Sequence, residues 1–179
     1  NVFNWTGIST INGGGVGTLL IPVGSTFNID GDLSHTLNAI TVNNQGLTIY
    51  NGVSSDLTLN NGTVFDNNGV FDFQNTGVAS ITAFGGATFN NNAGALILNT
   101  GNGTSSILAT VTLISTDASF NISTGSFTLF SPTTFNGTLT IASLGSNLLL
   151  NSTNITFADL TSVDGEIDLI GGTINLLGT

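Results

Sequence analysis

Residues 62–99, GTVFDNNGVFDFQNTGVASITAFGGATFNNNAGALILN, state one phrase twice. Phe65 precedes Asn67 and Asn68, and Gly69 then leads into Phe71 and Phe73; Phe89 precedes Asn90, Asn91 and Asn92, and Gly94 then leads into Leu96 and Leu98. Each time an apolar residue closes a short strand, an Asn-rich corner turns the chain, and a glycine opens a strand whose apolar residues sit two apart. Alternate residues of a strand share one face. The stretch therefore reads as one winding of a β-solenoid, with the Phe residues and the pair Leu96 and Leu98 directed inward.

The same glycine-led phrase starts at Gly17, Gly69, Gly94, Gly125, Gly137, Gly165 and Gly172. Phe120 stands before Gly125 and Phe127 after it, while Phe135 before Gly137 is a contracted version. The unequal intervals fit strands from different faces of a coil better than one strict repeat. Gly and Asn suit corners because they tolerate positive φ. Stacked coils bring Phe over Phe inside and Asn over Asn at the corners, where amides bond in ladders. Coils of about 20 to 25 residues give roughly seven to nine coils, a rod on the order of 40 Å long.

Outward from the opening stretch, short alternating runs predict strands over Thr18 to Ile21, Thr26 to Ile29, Thr36 to Val42, Leu47 to Tyr50 and Leu57 to Leu59. Beyond it they predict Val111 to Ile114, Ser119 to Ile122, Ser126 to Leu129, Thr138 to Ile141, Leu148 to Leu150, Ile155 to Phe157, Glu166 to Ile170 and Thr173 to Leu177. No segment has a helical period. Residues 1–17, with Gly13, Gly14 and Gly15, read as an irregular opening segment or a first coil of a single solenoid domain over 1–179. An antiparallel β-sandwich is the competing fold, since it too uses short, regularly spaced strands. The recurrence of the phrase without hairpin-type pairing favours an all-β parallel β-helix.

Composition narrows the function. The chain has ten Asp and Glu residues and no Lys or Arg, where average usage gives about 20. Ordinary ion pairs are out of reach, so packing and hydrogen bonds must hold the fold. Nucleic acid is excluded as a partner, because phosphate binding needs Lys or Arg, and anionic lipid surfaces are disfavoured. Cysteine is absent, so no disulfide or thiolate chemistry is available. No apolar run reaches membrane-helix length. One Trp and one Tyr do not supply the girdles of a transmembrane barrel, and no signal peptide is visible.

The phrases NNGTVFDNNGVFDFQN and FNNNAGALILNTG, with NWTG and LLIPVGSTFNIDGDLSHTLN near the start, resemble the Asn/Thr/Gly-rich repeats of secreted bacterial surface proteins. These are the adhesin, autotransporter-passenger and filamentous-haemagglutinin-like regions, and the resemblance runs over most of the chain. It implies a right-handed parallel β-helix on the outside of a cell. The departure is the complete lack of Lys and Arg.

Several residues are weighed for chemistry. Asp164, Glu166 and Asp168 alternate with Ile167 and Leu169, so their carboxylates share an outward face about 7 Å apart. That spacing lies near the range of inverting glycosidases. No neighbouring aromatic or cation could hold a sugar, and a solvated acidic face is the plainer reading. The same trio, or Asp30 and Asp32, are weak Ca²⁺ candidates through hard oxygen ligands, without an EF-hand or calcium-roll repeat. His35 is read as a loop residue, and no Gly-x-Ser-x-Gly elbow offers it a nucleophile. The hydroxyl pairs Thr110 and Thr112, Ser126 and Thr128, and Thr138 and Thr140 are of the kind used by ice-binding solenoids, but their spacing does not recur once per coil. Asn-x-Ser/Thr sequons begin at Asn4, Asn61, Asn102, Asn121, Asn136, Asn151 and Asn154, about as many as the composition yields by chance.

The expectation is a non-enzymatic extracellular structural protein without cofactors. It acts as filament subunit, stalk or surface adhesin segment, self-associating end to end or continuing into further coils, since residues 171–179 read as a strand without a cap. A carbohydrate- or ice-binding module on the same scaffold is the alternative, with glycans as its partners.

Overall fold

A computed structural model of the chain describes residues 1–130, 133–151, 153–157 and 159–176. The described residues form 20 strands and no helix, and every strand pairing is parallel. The sandwich alternative, which requires antiparallel ladders, is thereby overturned, and the chain is a β-solenoid of about seven turns. Each coil carries three strand segments, one on each of three faces.

The first face stacks eight strands: Val2–Thr6, Thr26–Asp30, Leu47–Asn51, Val70–Phe73, Leu96–Asn99, the end of Val111–Ile122, the end of Thr133–Ile141, and Asp159–Val163. A turn takes between 19 residues, from Ser119 to Thr138, and 26, from Val70 to Leu96. Most of the variation sits in the corners, and one further residue is taken up inside the first face, where the register shifts between Leu139 and Thr140. The predicted strands lie inside observed ones, except that Glu166–Leu169 ends one residue short of the predicted Ile170, which is a bend, and that Leu177 of the last prediction falls outside the described residues. Residues 2–21 form a regular first coil, whose strand Ser9–Ile21 bulges at Gly13 to Val16.

The second face stacks the starts of Ser9–Ile21 and His35–Asn44, then Ser54–Asn60, Val78–Phe84, Thr104–Ile107, Ser126–Leu129, Asn147–Leu150 and Glu166–Leu169. The third face stacks the ends of Ser9–Ile21 and His35–Asn44, then Val64–Asn67, Ala87–Asn91 and the start of Val111–Ile122. Alternation fills the interior. On that third face Val42, Phe65, Phe89 and Leu113 point inward in one column, and the Phe65 and Phe89 rings stack 4.9 Å apart. Phe71 from the first face meets both edge-on at 5.3 Å. Phe73 and Phe120 pack against Phe127 at 5.0 and 4.7 Å, and Phe135 meets Phe157 at 5.3 Å. Full burial of one such ring stabilises by about 1.5 to 3 kcal/mol, and the aromatic geometry adds about 0.5 to 1.5 kcal/mol per pair.

Leu96 and Leu98 are the exception and correct the sequence reading. They lie half-buried on the outside of the first face, while Ile97 and Asn99 point inward. The cause is corner length. Two residues, Asn68 and Gly69, separate Asn67 from Val70, but four, Asn92 to Ala95, separate Asn91 from Leu96. The longer corner closes with Ala95 N–H donating to the Asn92 carbonyl at 2.9 Å, and Gly94 turns it at φ +78°. Ala95 thus stands above Gly69, and the apolar alternation of LILN enters one residue out of phase.

The phrase's glycines serve two purposes. Gly94 and Gly125 have positive φ, as corners demand. Gly69 does not; there a Cβ would lie 2.2 Å from the Gly46 carbonyl oxygen of the coil below, so only a hydrogen fits between the stacked backbones.

Candidate functional site

The corners carry the most ordered polar chemistry. Asn44, Asn67, Asn91 and Ser115 stack in one inward column at the end of the third face, and all four are fully buried. Asn44 Nδ2 donates to Asn67 Oδ1 at 2.7 Å, Asn67 Nδ2 to Asn91 Oδ1 at 2.8 Å, and Asn91 Nδ2 to Ser115 Oγ at 3.3 Å. The same nitrogens donate to the carbonyls of Val70, Leu96 and Ser119, where the next coil starts its first face. Each amide therefore finds partners inside the corner and ties it to the first-face strand that follows.

A second buried polar group holds the corner between the first and second faces. Ser105 Oγ bonds Asn75 Oδ1 at 2.7 Å and Asn99 Oδ1 at 2.5 Å, and Asn99 Nδ2 donates to the Thr124 carbonyl at 2.6 Å. Outside, Asn12, Asn38 and Asn61 form a further ladder, as do Asn43, Asn68 and Asn92.

The carboxylate candidates sit in different settings. Glu166 is exposed, Asp168 is half-buried and accepts a hydrogen bond from Asn147 Nδ2 at 3.2 Å, and Asp164 stands at the preceding bend. Glu166 and Asp168 occupy outward positions above Asn147 and Leu149, as the alternation predicts. A cavity of ≈ 390 Å³ opens at this corner between Ser126, Asn147, Asp164 and Glu166. Among the described residues no three acidic or His side chains converge on a point that could hold a metal ion, so the trio is not gathered into a Ca²⁺ cage. Asp32 is committed elsewhere, accepting the Val53 N–H at 2.8 Å, while Asp30 borders a shallow depression with Asn51 and Gln74.

His35 is not in a loop. It opens the strand His35–Asn44 and is wholly buried, its ring edge-on to Trp5 at 4.7 Å. Neither ring nitrogen makes a hydrogen bond. Burial pushes its pKa down, with the Trp5 and Leu33 backbones and the Asp30 carboxylate acting in the opposite direction. An unpaired buried charge costs several kcal/mol, and an aromatic neighbour returns about 2 kcal/mol at best, so the neutral ring is the one that fits.

Tyr50 is buried as well. Its hydroxyl donates to the Ser55 carbonyl at 2.7 Å, and desolvation drives its pKa well above the usual phenol value. Neither Trp5 nor Tyr50 is thus a surface platform for a sugar.

The three hydroxyl pairs fall on different parts of the coil: Thr110 and Thr112 at the start of the third face, Ser126 and Thr128 on the second, Thr138 and Thr140 on the first. A different column escaped the sequence reading. Thr18, Thr41, Val64, Thr88 and Thr112 pair in succession across five coils on the outside of the third face. Their spacing of 23 or 24 residues is legible in the sequence once the turn length is known. Beside them runs the outward column Leu20, Asn43, Asp66, Asn90 and Ile114.

Of the sequon asparagines, Asn61 donates its amide to Asn38 at 2.7 Å, Asn4 accepts from Asn28 at 2.7 Å, and Asn102 is exposed in a bend. The side chains of Asn136 and Asn154 lie outside the described residues. Set against known proteins, the chain matches no family model, no curated protein and no solved structure.

Proposed function

We propose that the chain is a non-enzymatic extracellular structural element, a β-solenoid rod that serves as filament subunit, stalk or surface adhesin segment. The observation that carries this reading is the repetition of one contact. The parallel ladder, inward apolar column and side-chain hydrogen-bond ladder that join the third coil to the fourth continue into the fifth, with Leu113 in the place of Phe and Ser115 in the place of Asn. A coil edge so built is complementary to any other coil edge of the same chain, which favours head-to-tail association or continuation into further coils. The lack of Lys and Arg supports a location outside the cell, since trypsin-like proteases find no site in the chain. Its outward Asn, Ser and Thr ladders keep the surface polar with little charge.

Electron microscopy and light scattering of the isolated chain test this proposal. Elongated, end-joined particles that lengthen with concentration are expected; compact monomers at every concentration would overturn self-association. If the rod were an enzyme, replacing Glu166 and Asp168 together would lower turnover on a polysaccharide panel, and no such loss is expected.

The third-face column gives a second reading specific support. Thr18, Thr41, Thr88 and Thr112, with the isosteric Val64 between them, present β-branched groups at the coil repeat of about 4.8 Å on a sheet face. Such a face suits an ordered ligand, ice or a crystalline polysaccharide. An ice-affinity assay and a glycan array separate this reading from the purely structural one. Loss of binding in Thr41→Tyr and Thr88→Tyr would locate it, and no retention on any surface would remove it.

A further inference from the structure

We infer that His35 is a pH-sensitive latch between the first two coils: on protonation the imidazole leaves the core and the packing of Trp5 over the second coil loosens. The position itself is the first sign. In its column on the second face, Leu57, Ile81, Ile107, Leu129, Leu150 and Leu169 follow His35 coil after coil. An aliphatic side chain fits every one of these places, and only here is it replaced by a group that can take up a proton.

The surroundings hold that proton weakly: the Trp5 and Leu33 backbones and the Asp30 carboxylate favour it, but burial outweighs all three. The ring is wholly buried, with Ser9 above it in register, Leu57 below and the Trp5 ring at its edge. Trp5 Nε1 already donates to Ser9 Oγ, so the hydroxyl is engaged by the indole. Neither imidazole nitrogen is hydrogen-bonded. Of the carboxylates on the neighbouring elements, Asp30 ends the first-face strand of the same coil and is exposed, Asp32 is bonded to the Val53 N–H, and Asp56 points outward from Ser54–Asn60. The strands Val2–Thr6 and Ser9–Ile21 bring no titratable side chain. Water is thus the place where an imidazolium is accommodated.

The sign follows from burial. The folded-state pKa of His35 lies below its ordinary value near 6.5, so the folded chain binds fewer protons than the unfolded chain once the pH drops below about 6.5. Stability is complete above that pH and is lost as pH falls from it towards the folded-state pKa. In that window the unfolding constant rises by up to about tenfold per pH unit. The window lies above the range where exposed carboxylates titrate, near 4, so the two effects separate.

The chain supplies its own reporters, since it holds one His and one Trp and the two are in contact. Urea unfolding and Trp5 emission are followed from pH 8 to pH 5 for the full chain and for His35→Leu, alongside the NMR titration of the single imidazole. The wild type is expected to lose stability below pH 6.5, with Trp5 emission shifting to the red under native conditions. Its amides in residues 26–38 should exchange sooner than those in 87–91, and His35→Leu should be flat over the same range. Equal pH dependence in His35→Leu, or a wild-type imidazole titrating at its ordinary value with Trp5 emission unchanged, would overturn the latch. Should the variant fail to fold, the wild-type imidazole and Trp5 titrations decide alone.

Discussion

Phe65 and Phe89, 24 residues apart in sequence, stack with ring centroids 4.9 Å apart and planes 2° from parallel. Their backbones pair directly in the third-face ladder, so the ring separation is the coil repeat itself. Side-chain stacking and backbone pairing are therefore a single constraint, and shortening either ring opens a gap that the fixed backbone spacing prevents from closing. Phe89→Ala is expected to cost about 3 to 5 kcal/mol in urea denaturation, towards the upper end because collapse is blocked.

The phase of the first-face strand in the fifth coil can be read by substitution. Ile97→Ala should cost about 2 to 5 kcal/mol, whereas Leu96→Ala and Leu98→Ala, on the outside, should each cost about 1 kcal/mol or less. The reverse order would restore the inward placement of Leu96 and Leu98.

Asn67 both accepts from Asn44 and donates to Asn91 and the Leu96 carbonyl. Asn67→Asp keeps the acceptor and removes the donor, setting a carboxylate against two oxygens in a buried site. Its folded pKa should rise above the unfolded value of about 3.9, so the variant is weakest at neutral pH and regains stability as pH falls through its folded pKa. A denaturation midpoint that did not recover relative to wild type on acidification would mean that the ladder is not buried.

Gly69 and Gly94 should fail differently. Gly69→Ala drives a Cβ into the Gly46 carbonyl at 2.2 Å and forces the coils apart. Gly94→Ala meets open space and has only the left-handed backbone to oppose it, a cost of about 1 to 2 kcal/mol. Calorimetry of the two variants should show the larger loss for Gly69→Ala.

Tyr50 gives an alkaline counterpart to His35. Its folded pKa is raised by burial, so the unfolded phenol loses its proton first, and stability present below about pH 10 declines as pH rises through that value. The chain has one Tyr, so phenolate absorbance reports it alone: ionisation should coincide with unfolding, and Tyr50→Phe should remove this part of the alkaline loss.

Much of this fold was legible because its two strongest signals are local. The alternation around Phe71 and Phe73 marks inward positions, and the Asn67 corner marks a turn, without any knowledge of the neighbouring coil. What escaped depends on stacking. The inversion at Leu96 and Leu98 comes from two extra corner residues, which matter only once Asn91 is fixed above Asn67. Gly69 looks like a conformational glycine and is a steric one, because the obstacle is a carbonyl in the coil below. His35 sits among polar residues in LSHTLN, so the sequence places it at the surface; its burial follows from register with Ser9 and Leu57. The Thr column of the third face likewise appears only when residues 23 or 24 apart are set side by side.

A distance decides whether one coil stacks on the next in parallel register. The chain contains no Cys, so Thr18→Cys with Thr112→Cys places two unique spin labels in one outward column, four coils apart. Pulsed electron spin resonance should find a narrow distribution centred near 20 Å, about four times the 4.8 Å repeat, with a shorter distance for Thr18→Cys with Thr88→Cys. A broad distribution, or a mean beyond about 35 Å, more than seven such repeats, would contradict the stack.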